Sequence, residues 1–307
     1  MLSFFKRVDN AGGQNGVHRG ADGFALAQVI GRGAEEKPVL AHCSFESLDA
    51  EDALSRAVRH LPNRKLPSVS VLPSTAYHML LVEAPQVPND ELRAAVRWRI
   101  KDLIDFHIDD AVIDVFQMPN QGRGGPNQMM YAIAAKAEGV RAEVRAAEDA
   151  GLNLQVVDIV ELSLRNIAIR LEQESRGLAL LYLADTSGVL LLVRNGTLYL
   201  TRRIETGTKI LRESQGLRSE LVAGLALETR RSLDYFESHY EQSSIPVLYT
   251  SGLDPADQDQ LRAELGLSVR NIELSALFDG GPEMAEELQR KCLPAIGAAL
   301  RHDSVTL

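Results

Sequence analysis

The residues best equipped for chemistry are the carboxylates Asp102, Asp105, Asp109, Asp110 and Asp114, which form one acidic run. Paired carboxylates can hold magnesium or share general-acid and general-base work. This run straddles the end of a helical pattern and the start of a strand pattern, so its side chains point different ways. It reads as a solvated acidic face. The glycine cluster Gly122-Arg123-Gly124-Gly125 falls between two strand patterns. A phosphate cradle would open a helix, where terminal amides favour an anion, so this cluster reads as a turn. The sequence holds no G-x-x-x-x-G-K-[ST] loop, no H-E-x-x-H and no G-x-S-x-G elbow. Its seven histidines are scattered and none pair at helical ligand spacing. The two cysteines, Cys43 and Cys292, lie far apart and in no C-x-x-C pair. Neither a disulfide framework nor a zinc site is expected, and a reducing compartment is the natural reading. The single tryptophan, Trp98, has two open readings: it packs on a neighbouring layer, or it helps line a groove for a partner peptide.

Trp98 sits in the clearest helix of the first half. Pro88-Asn89-Asp90 starts it, and Leu92, Val96, Ile100 and Leu103 fall on one stripe, so a helix over 90–106 with Leu103 in the core is expected. Residues 9–16 read as a glycine-rich loop. Paired strands follow at 24–30 and 38–45, around Gly31-Arg32-Gly33, then a helix at 48–61. Short strands are expected at 68–72, 77–83, 112–118, 129–135 and 154–159, with a helix over 138–150 closed by Gly151. The second half opens with apolar runs at 178–183, 189–193 and 198–204. Asn195-Gly196 joins the last two and is a strong hairpin signal. A long helix through Leu221, Leu225, Leu233, Phe236 and Tyr240 follows, then strands at 247–250 and 268–274 and a closing helix within 284–301. Each half is thus a strand meander followed by alternating helices and strands, which is an α/β architecture present twice.

Composition bounds the function. The chain has 307 residues, 45% hydrophobic and 24% charged, which suits a globular protein of two domains. A net charge of -9 argues against a nucleic-acid partner. No apolar run is long enough to span a bilayer, and no secretory segment is evident. The patch Leu2, Phe4, Phe5, Lys6 and Arg7 is either a frayed tail or a marginal contact for an anionic membrane surface.

Several stretches, taken in order, carry a resemblance. PNDELRAAVRWRIKDLIDFHIDDAVIDVFQM (88–118) resembles the start of the inserted subdomain of PilM-type proteins, with an Arg-Trp pair, an aromatic turn and an Asp-bearing strand. YAIAAKAEGVRAEVRAAEDAGLNLQVVDIVELSLRN (131–166) resembles the strand-helix-strand that follows. LALLYLADTSGVLLLVRNGTLYLTRRIETG (178–207) is similar to the second phosphate-loop meander. LALETRRSLDYFESHY, VLYTSG and LPAIGAALR complete the order. The likeness runs from about Gly16 onward and is strongest to the branch serving pili of the mannose-sensitive haemagglutinin (MSHA) type. It implies an actin-like (ribonuclease H-like) two-lobed α/β fold with an inserted small α/β subdomain. It also implies a cytoplasmic protein at the inner face of the inner membrane that holds the cytoplasmic tail of a PilN-like partner beside the insertion. The implied layout is a tail at 1–15, a first lobe at 16–82 and 288–307, an inserted subdomain at 83–157 and a second lobe at 158–287. Partner contacts are expected at Trp98, Arg97, Lys101 and Phe106.

Such proteins bind ATP with magnesium between the lobes, and here the sequence departs from the pattern. The first phosphate loop, roughly D-I-G-S-x-x-x-K, corresponds to residues 18–25. Gly20 matches, His18 stands at the aspartate and Ala25 at the lysine. Those two charges place magnesium and phosphate, so their loss removes most of the electrostatics of phosphoryl transfer. In the second loop either Tyr182 takes the aspartate position, or a gap puts Asp185 there with Thr186, Ser187 and Gly188. Ser251-Gly252 survives on the adenosine side, but Leu253 replaces a second glycine, and Asp254 is expected to cap the next helix. The expectation is a non-catalytic pilus scaffold without a cofactor. The alternatives are an ATP-binding switch, in which Asp22 or Asp185 replaces the missing acid, and a type II secretion domain of the GspL kind. The GspL kind normally continues into a membrane span, which counts against it, and a small-molecule kinase could least afford the lost loops.

Overall fold

In the computed structural model, the described residues are 12–31, 37–48, 52–119, 128–172 and 176–302. The tail patch at 2–7, most of the Gly31-Arg32-Gly33 turn and the glycine cluster at 122–125 lie outside them. The chain begins as a meander of β1 (Gln14–Arg19), β2 (Gly23–Ile30) and β3 (Val39–Ser47), then α1 (Ala53–Arg59) and β4 (Pro67–Val71). A small unit follows: β5 (Tyr77–Glu83), α2 (Leu92–Ile100), β6 (Ala111–Gln117), β7 (Met129–Lys136) and α3 (Ala137–Asp149). β8 (Asn153–Asp158) then rejoins the first sheet, and α4 (Val160–Leu171) leads to the second meander of β9 (Leu178–Leu183), β10 (Gly188–Arg194) and β11 (Thr197–Ile204). The remainder is α5 (Thr208–Glu213), α6 (Arg218–Tyr240), β12 (Val247–Ser251), α7 (Pro255–Leu265), β13 (Ser268–Asn271), α8 (Leu274–Leu277) and α9 (Glu286–Ala299).

The two five-stranded sheets repeat one plan, β3-β2-β1-β4-β8 and β11-β10-β9-β12-β13. In each, the first strand lies antiparallel to the second and parallel to the fourth. β5, β7 and β6 form a separate three-stranded sheet, so by sheet membership the small unit begins at β5 and the chain re-enters the first sheet at β8. Asn195 and Gly196 both take positive φ, as the tight β10–β11 hairpin requires. Helices α4 and α9 pack together at the centre. A side chain at Gly16 would strike the Ala295 carbonyl, and one at Gly297 the Ser163 carbonyl, so both glycines permit close approach to helices. No helix among the described residues is long and apolar enough to cross a membrane.

Several expectations are corrected. Residues 14–16, expected as the end of a loop at 9–16, open strand β1 at the centre of the first sheet. α1 starts at Ala53, and Leu48 lies in a turn. The strand expected at 268–274 ends at Asn271. α2 stops at Ile100, and Leu103 is 57% exposed rather than core. Beyond Ile100 the chain turns off the small sheet, and Ile104, Phe106 and Ile108 tuck against that sheet's apolar cluster in place of Leu103. Trp98 packs on no second layer, being 69% exposed. Of the acidic run, Asp102, Asp105, Asp109 and Asp110 are exposed, whereas Asp114 is buried and accepts from Arg93 Nε at 2.8 Å.

Candidate functional site

The duplicated plan sets the turn of each meander opposite the other across a cleft of about 580 Å³. The first turn, residues 20–22, is closed by Gly20 N–H donating to the Gly23 carbonyl at 2.8 Å. The second, residues 184–187, is closed by Ala184 N–H donating to the Ser187 carbonyl at 2.8 Å. Asp185 therefore lies in the turn with Thr186 and Ser187, and Gly188 opens β10. Tyr182 is within β9, its buried side chain lining the cleft. His18 and Tyr182 are equivalent: each is the penultimate residue of its strand, and each lines the cleft.

Burial lowers the His18 imidazole to about 4, opposed by a bond to the Val71 carbonyl, so the ring is neutral near pH 7. Its Nδ1 lies 3.3 Å from that carbonyl, which assigns the proton to Nδ1. Burial likewise pushes the Tyr182 phenol up. Ala25, at the position of the phosphate lysine, is buried on β2.

Arg19, Arg203 and Glu205 also line the cleft, and the cations that meet the two turn acids come from α9. Arg290 Nη2 donates to Asp185 Oδ1 at 2.8 Å, and its Nη1 to the Leu183 carbonyl at 3.4 Å. The next residue, Lys291, donates from Nζ to Asp22 Oδ2 at 2.6 Å and lies 4.3 Å from the Phe45 ring centroid. Partial burial opposes the Lys291 charge, but the Asp22 hydrogen bond and the nearby Asp185 and Glu287 carboxylates outweigh it and raise its pKa. One helix turn thus supplies a cation to each hairpin acid. Sequence reasoning missed both cations, because an adjacent basic pair in a helix carries no signal of partners 269 and 105 residues away.

Ser251 and Gly252, expected on the adenosine side, are not among the residues that line this cleft. Ser251 is buried at the end of β12. Gly252 has φ +96°, and a Cβ there would come within 2.9 Å of Arg290 Cδ, the Leu183 carbonyl oxygen and Thr208 Cγ2. Leu253 is buried. Asp254 takes the N-cap position of α7 without a side-chain cap, because its carboxylate accepts from Arg218 at 2.6 Å. Cys43 and Cys292, both free, lie close enough that the neighbouring thiol and burial push the Cys43 thiol up, and Cys292 Sγ donates to the Ser44 carbonyl at 3.3 Å.

A second crevice, about 550 Å³, lies where the small sheet meets the second sheet. Its walls include Tyr77, Met79 and Leu81 of β5 and Tyr199, Thr201 and Arg203 of β11. Both strands are sheet edges: among the described residues β5 pairs with β7 alone and β11 with β10 alone. Tyr131, Tyr235 and Tyr240 add aromatic surface. Thr201 N–H donates to the Tyr131 hydroxyl at 3.4 Å, and the Tyr240 hydroxyl donates to the Tyr199 carbonyl at 3.0 Å. Tyr77 donates to Glu161 Oε2 at 2.5 Å, and burial raises that carboxyl against the tyrosine's opposing bond.

Trp98, Arg97, Lys101 and Phe106 are placed elsewhere. α2 covers the face of the small sheet that carries Met130, Ala132 and Ala134, whereas Tyr131 points to the groove. Trp98 and Lys101 are exposed on the outside of that layer. Arg97 Nη2 donates to Asp109 Oδ1 at 2.7 Å. Phe106 is half-buried, its ring 5.7 Å from the His78 ring and 5.5 Å from Lys136 Nζ.

Two matching sheets, opposed hairpin turns and a central helix pair define an actin-like fold. The family profile of the type IV pilus assembly protein PilM matches residues 16–214, and the chain belongs to that family. Its structure is similar to one of a PilM-PilN type IV pilus biogenesis complex, with TM-score 0.73 and 23% identity over 95% of this chain and 99% of that one. It is also similar to the cytoplasmic domain of EpsL, an inner-membrane component of the Vibrio cholerae type II secretion system, with TM-score 0.49 and 11% identity over 91% and 93% of the chains. At these identities the likeness is one of fold. No curated protein sequence matches the chain.

Proposed function

We propose that this protein is a non-catalytic cytoplasmic scaffold of type IV pilus assembly, serving an MSHA-like pilus at the inner face of the inner membrane. Its partner is the cytoplasmic tail of a PilN-like inner-membrane protein. The observation that carries this reading is the groove between the edges of β5 and β11. An extended tail placed there can extend the small sheet from β5 through its own backbone and set alternate side chains against Met79, Leu81 and the tyrosines. PilM-family membership and the likeness to a PilM-PilN complex support the choice of partner.

The cleft suits a magnesium nucleotide poorly. A neutral imidazole and an alanine stand at the key charges, and both remaining acids already hold cations. The specific observation favouring an ATP-binding switch is that Asp22, Asp185 and Lys291 still converge on one cleft. Calorimetric titration with ATP and magnesium separates the two: no heat at millimolar ATP supports the scaffold, and tight binding replaces it with the switch.

Partner binding is tested by titrating a synthetic peptide of the PilN-like tail into the purified protein. Saturable binding that Leu81→Asp weakens supports the groove. Trp98, at 69% exposure, with Arg97 and Lys101 at the same end of the helix, offers a second seat on the outside of α2. Weakening by Trp98→Ala but not by Leu81→Asp would move the partner there, and absence of any binding would sink the scaffold reading.

A further inference from the structure

We infer that Arg290 and Lys291 form an internal clasp that replaces a metal-bound nucleotide between the two hairpin turns, so that the cleft keeps one arrangement without any ligand. The resemblance implies a nucleotide and its metal bridging the two turns. Here consecutive residues of α9 do so. Arg290 reaches the turn of the second sheet, and Lys291 the turn of the first.

The base of the clasp is rigid. Gly16 brings the α9 backbone against β1, and Gly297 brings it against α4. Gln14 Nε2 donates to the Ala298 carbonyl at 3.2 Å, and Asn166 Nδ2 to the Gly297 carbonyl at 2.9 Å. The two cations therefore project from a helix fixed to the first sheet and to the helix that joins the two halves. Pro294 cannot donate to the Arg290 carbonyl, so the turn carrying the cations is freed from one helical bond.

Each turn acid has its own cation: Asp22 meets Lys291 and Asp185 meets Arg290, so a divalent metal at either acid would meet a resident positive charge. The Arg290 pair is the more enclosed, with side chains 6% and 27% exposed against 19% and 42% for the Lys291 pair. Gly252 adds a steric element, because the Arg290 stem packs on its bare backbone. The clasp rests on reading the cleft as non-catalytic, but it does not depend on which partner the groove holds.

Hydrogen exchange at the two turns, 20–22 and 184–187, tests the clasp in the full-length protein. In the wild type, millimolar MgATP should leave exchange at both turns unchanged. Asp22→Asn and Lys291→Gln should each speed exchange at the first turn about tenfold, and Arg290→Gln should do so at the second. The swapped pair Asp22→Lys with Lys291→Asp should restore much of the protection, which a purely steric role would not predict. Arg218→Ala, which breaks the ion pairs to Asp254 and Asp257 outside the cleft, should leave both turns unchanged. Raised ionic strength should loosen the first turn before the second, following exposure. Protection appearing only on addition of MgATP, or unaltered exchange in Asp22→Asn and Lys291→Gln, would overturn the clasp. A clasp confirmed in a protein that binds no PilN-like tail would refute the scaffold reading alone.

Discussion

The two crevices are nearly equal in volume and differ in how their walls are held. The cleft between the hairpin turns is occupied by the protein's own charges, each acid carrying a cation from α9. The groove between β5 and β11 is walled by tyrosine, methionine and leucine side chains, with His78, Glu161, Arg202 and Arg203 among them, and flanked by two strand edges with no further strand beside them among the described residues. Size therefore does not tell the two apart. What differs is how the polar groups at the walls are satisfied: the turn acids hold cations, whereas Thr201 N–H and the Tyr199 carbonyl on the β11 edge meet neutral tyrosine hydroxyls. Paired charges resist an incoming ligand, because displacing one strands the other in a partly buried site. A strand edge such as β5 invites one, because its backbone groups gain hydrogen bonds when a new strand arrives.

The largest effect should come from breaking the cleft at its most enclosed point. Arg290→Ala removes a nearly buried guanidinium and leaves Asp185 without its cation. Such a loss should cost about 3 kcal/mol in chemical denaturation. Leu81→Asp, on the groove wall, should leave the same denaturation curve almost in place. Equal losses in the two variants would erase the distinction between a closed cleft and an open groove.

Next in size is a pH effect at the same cleft. His18 falls from its ordinary 6.5 to about 4 because burial disfavours the imidazolium. Between those values the unfolded chain binds a proton that the folded chain refuses. Stability should therefore decline as pH is lowered through 6.5 and level off near 4, by up to about 3 kcal/mol. His18→Gln should flatten that part of the profile. An unchanged slope would assign it to other groups, such as His42, which burial also lowers.

Much of the fold is readable locally, and the exceptions share a cause. The meander 178–204 shows itself through apolar runs and Asn195-Gly196, and these become β9, β10 and β11. β1 does not show itself. Its sequence, QNGVHR, looks like loop, yet Asn15 Nδ2 donates to the Asn63 carbonyl at 3.2 Å and Gln28 Nε2 to Asn15 Oδ1 at 2.8 Å. A polar strand can be buried once distant residues satisfy it, and no local pattern reports that. The hairpin turns can be located from resemblance and turn chemistry, but not the cations that face them, because ion pairs across most of the chain exist only after folding. The groove is hidden for a similar reason: β5 and β11 are edges only through the order in which the sheets assemble.

At the groove the effect should appear in binding rather than stability. Leu81 is 44% exposed on β5, so a charge there costs the fold little. Facing an extended apolar tail, the same charge would be desolvated. Leu81→Asp should weaken peptide binding about tenfold or more, against a melting temperature close to wild type. Calorimetry and a thermal melt on the same sample check both halves. Unimpaired binding would mean that β5 is not part of the seat.

The smallest effect should come from Leu103, just beyond α2, where sequence periodicity and structure disagree. The stripe of Leu92, Val96, Ile100 and Leu103 makes Leu103 a core residue, whose truncation would cost about 2–5 kcal/mol. The structure ends the helix at Ile100 and leaves Leu103 57% exposed, because Ile104, Phe106 and Ile108 cover the apolar cluster instead. Truncating an exposed side chain creates no cavity, so Leu103→Ala should change stability by no more than about 0.5 kcal/mol. Ile100→Ala, two turns after Leu92 on the buried stripe and fully enclosed, should cost about 2–5 kcal/mol in the same urea titration. A large loss for Leu103→Ala would mean that α2 continues along the sheet and that the outer layer bearing Trp98 is arranged differently. A small loss for both variants would mean that the small sheet is not held by α2 at all, and the wall it gives the groove would then need another support.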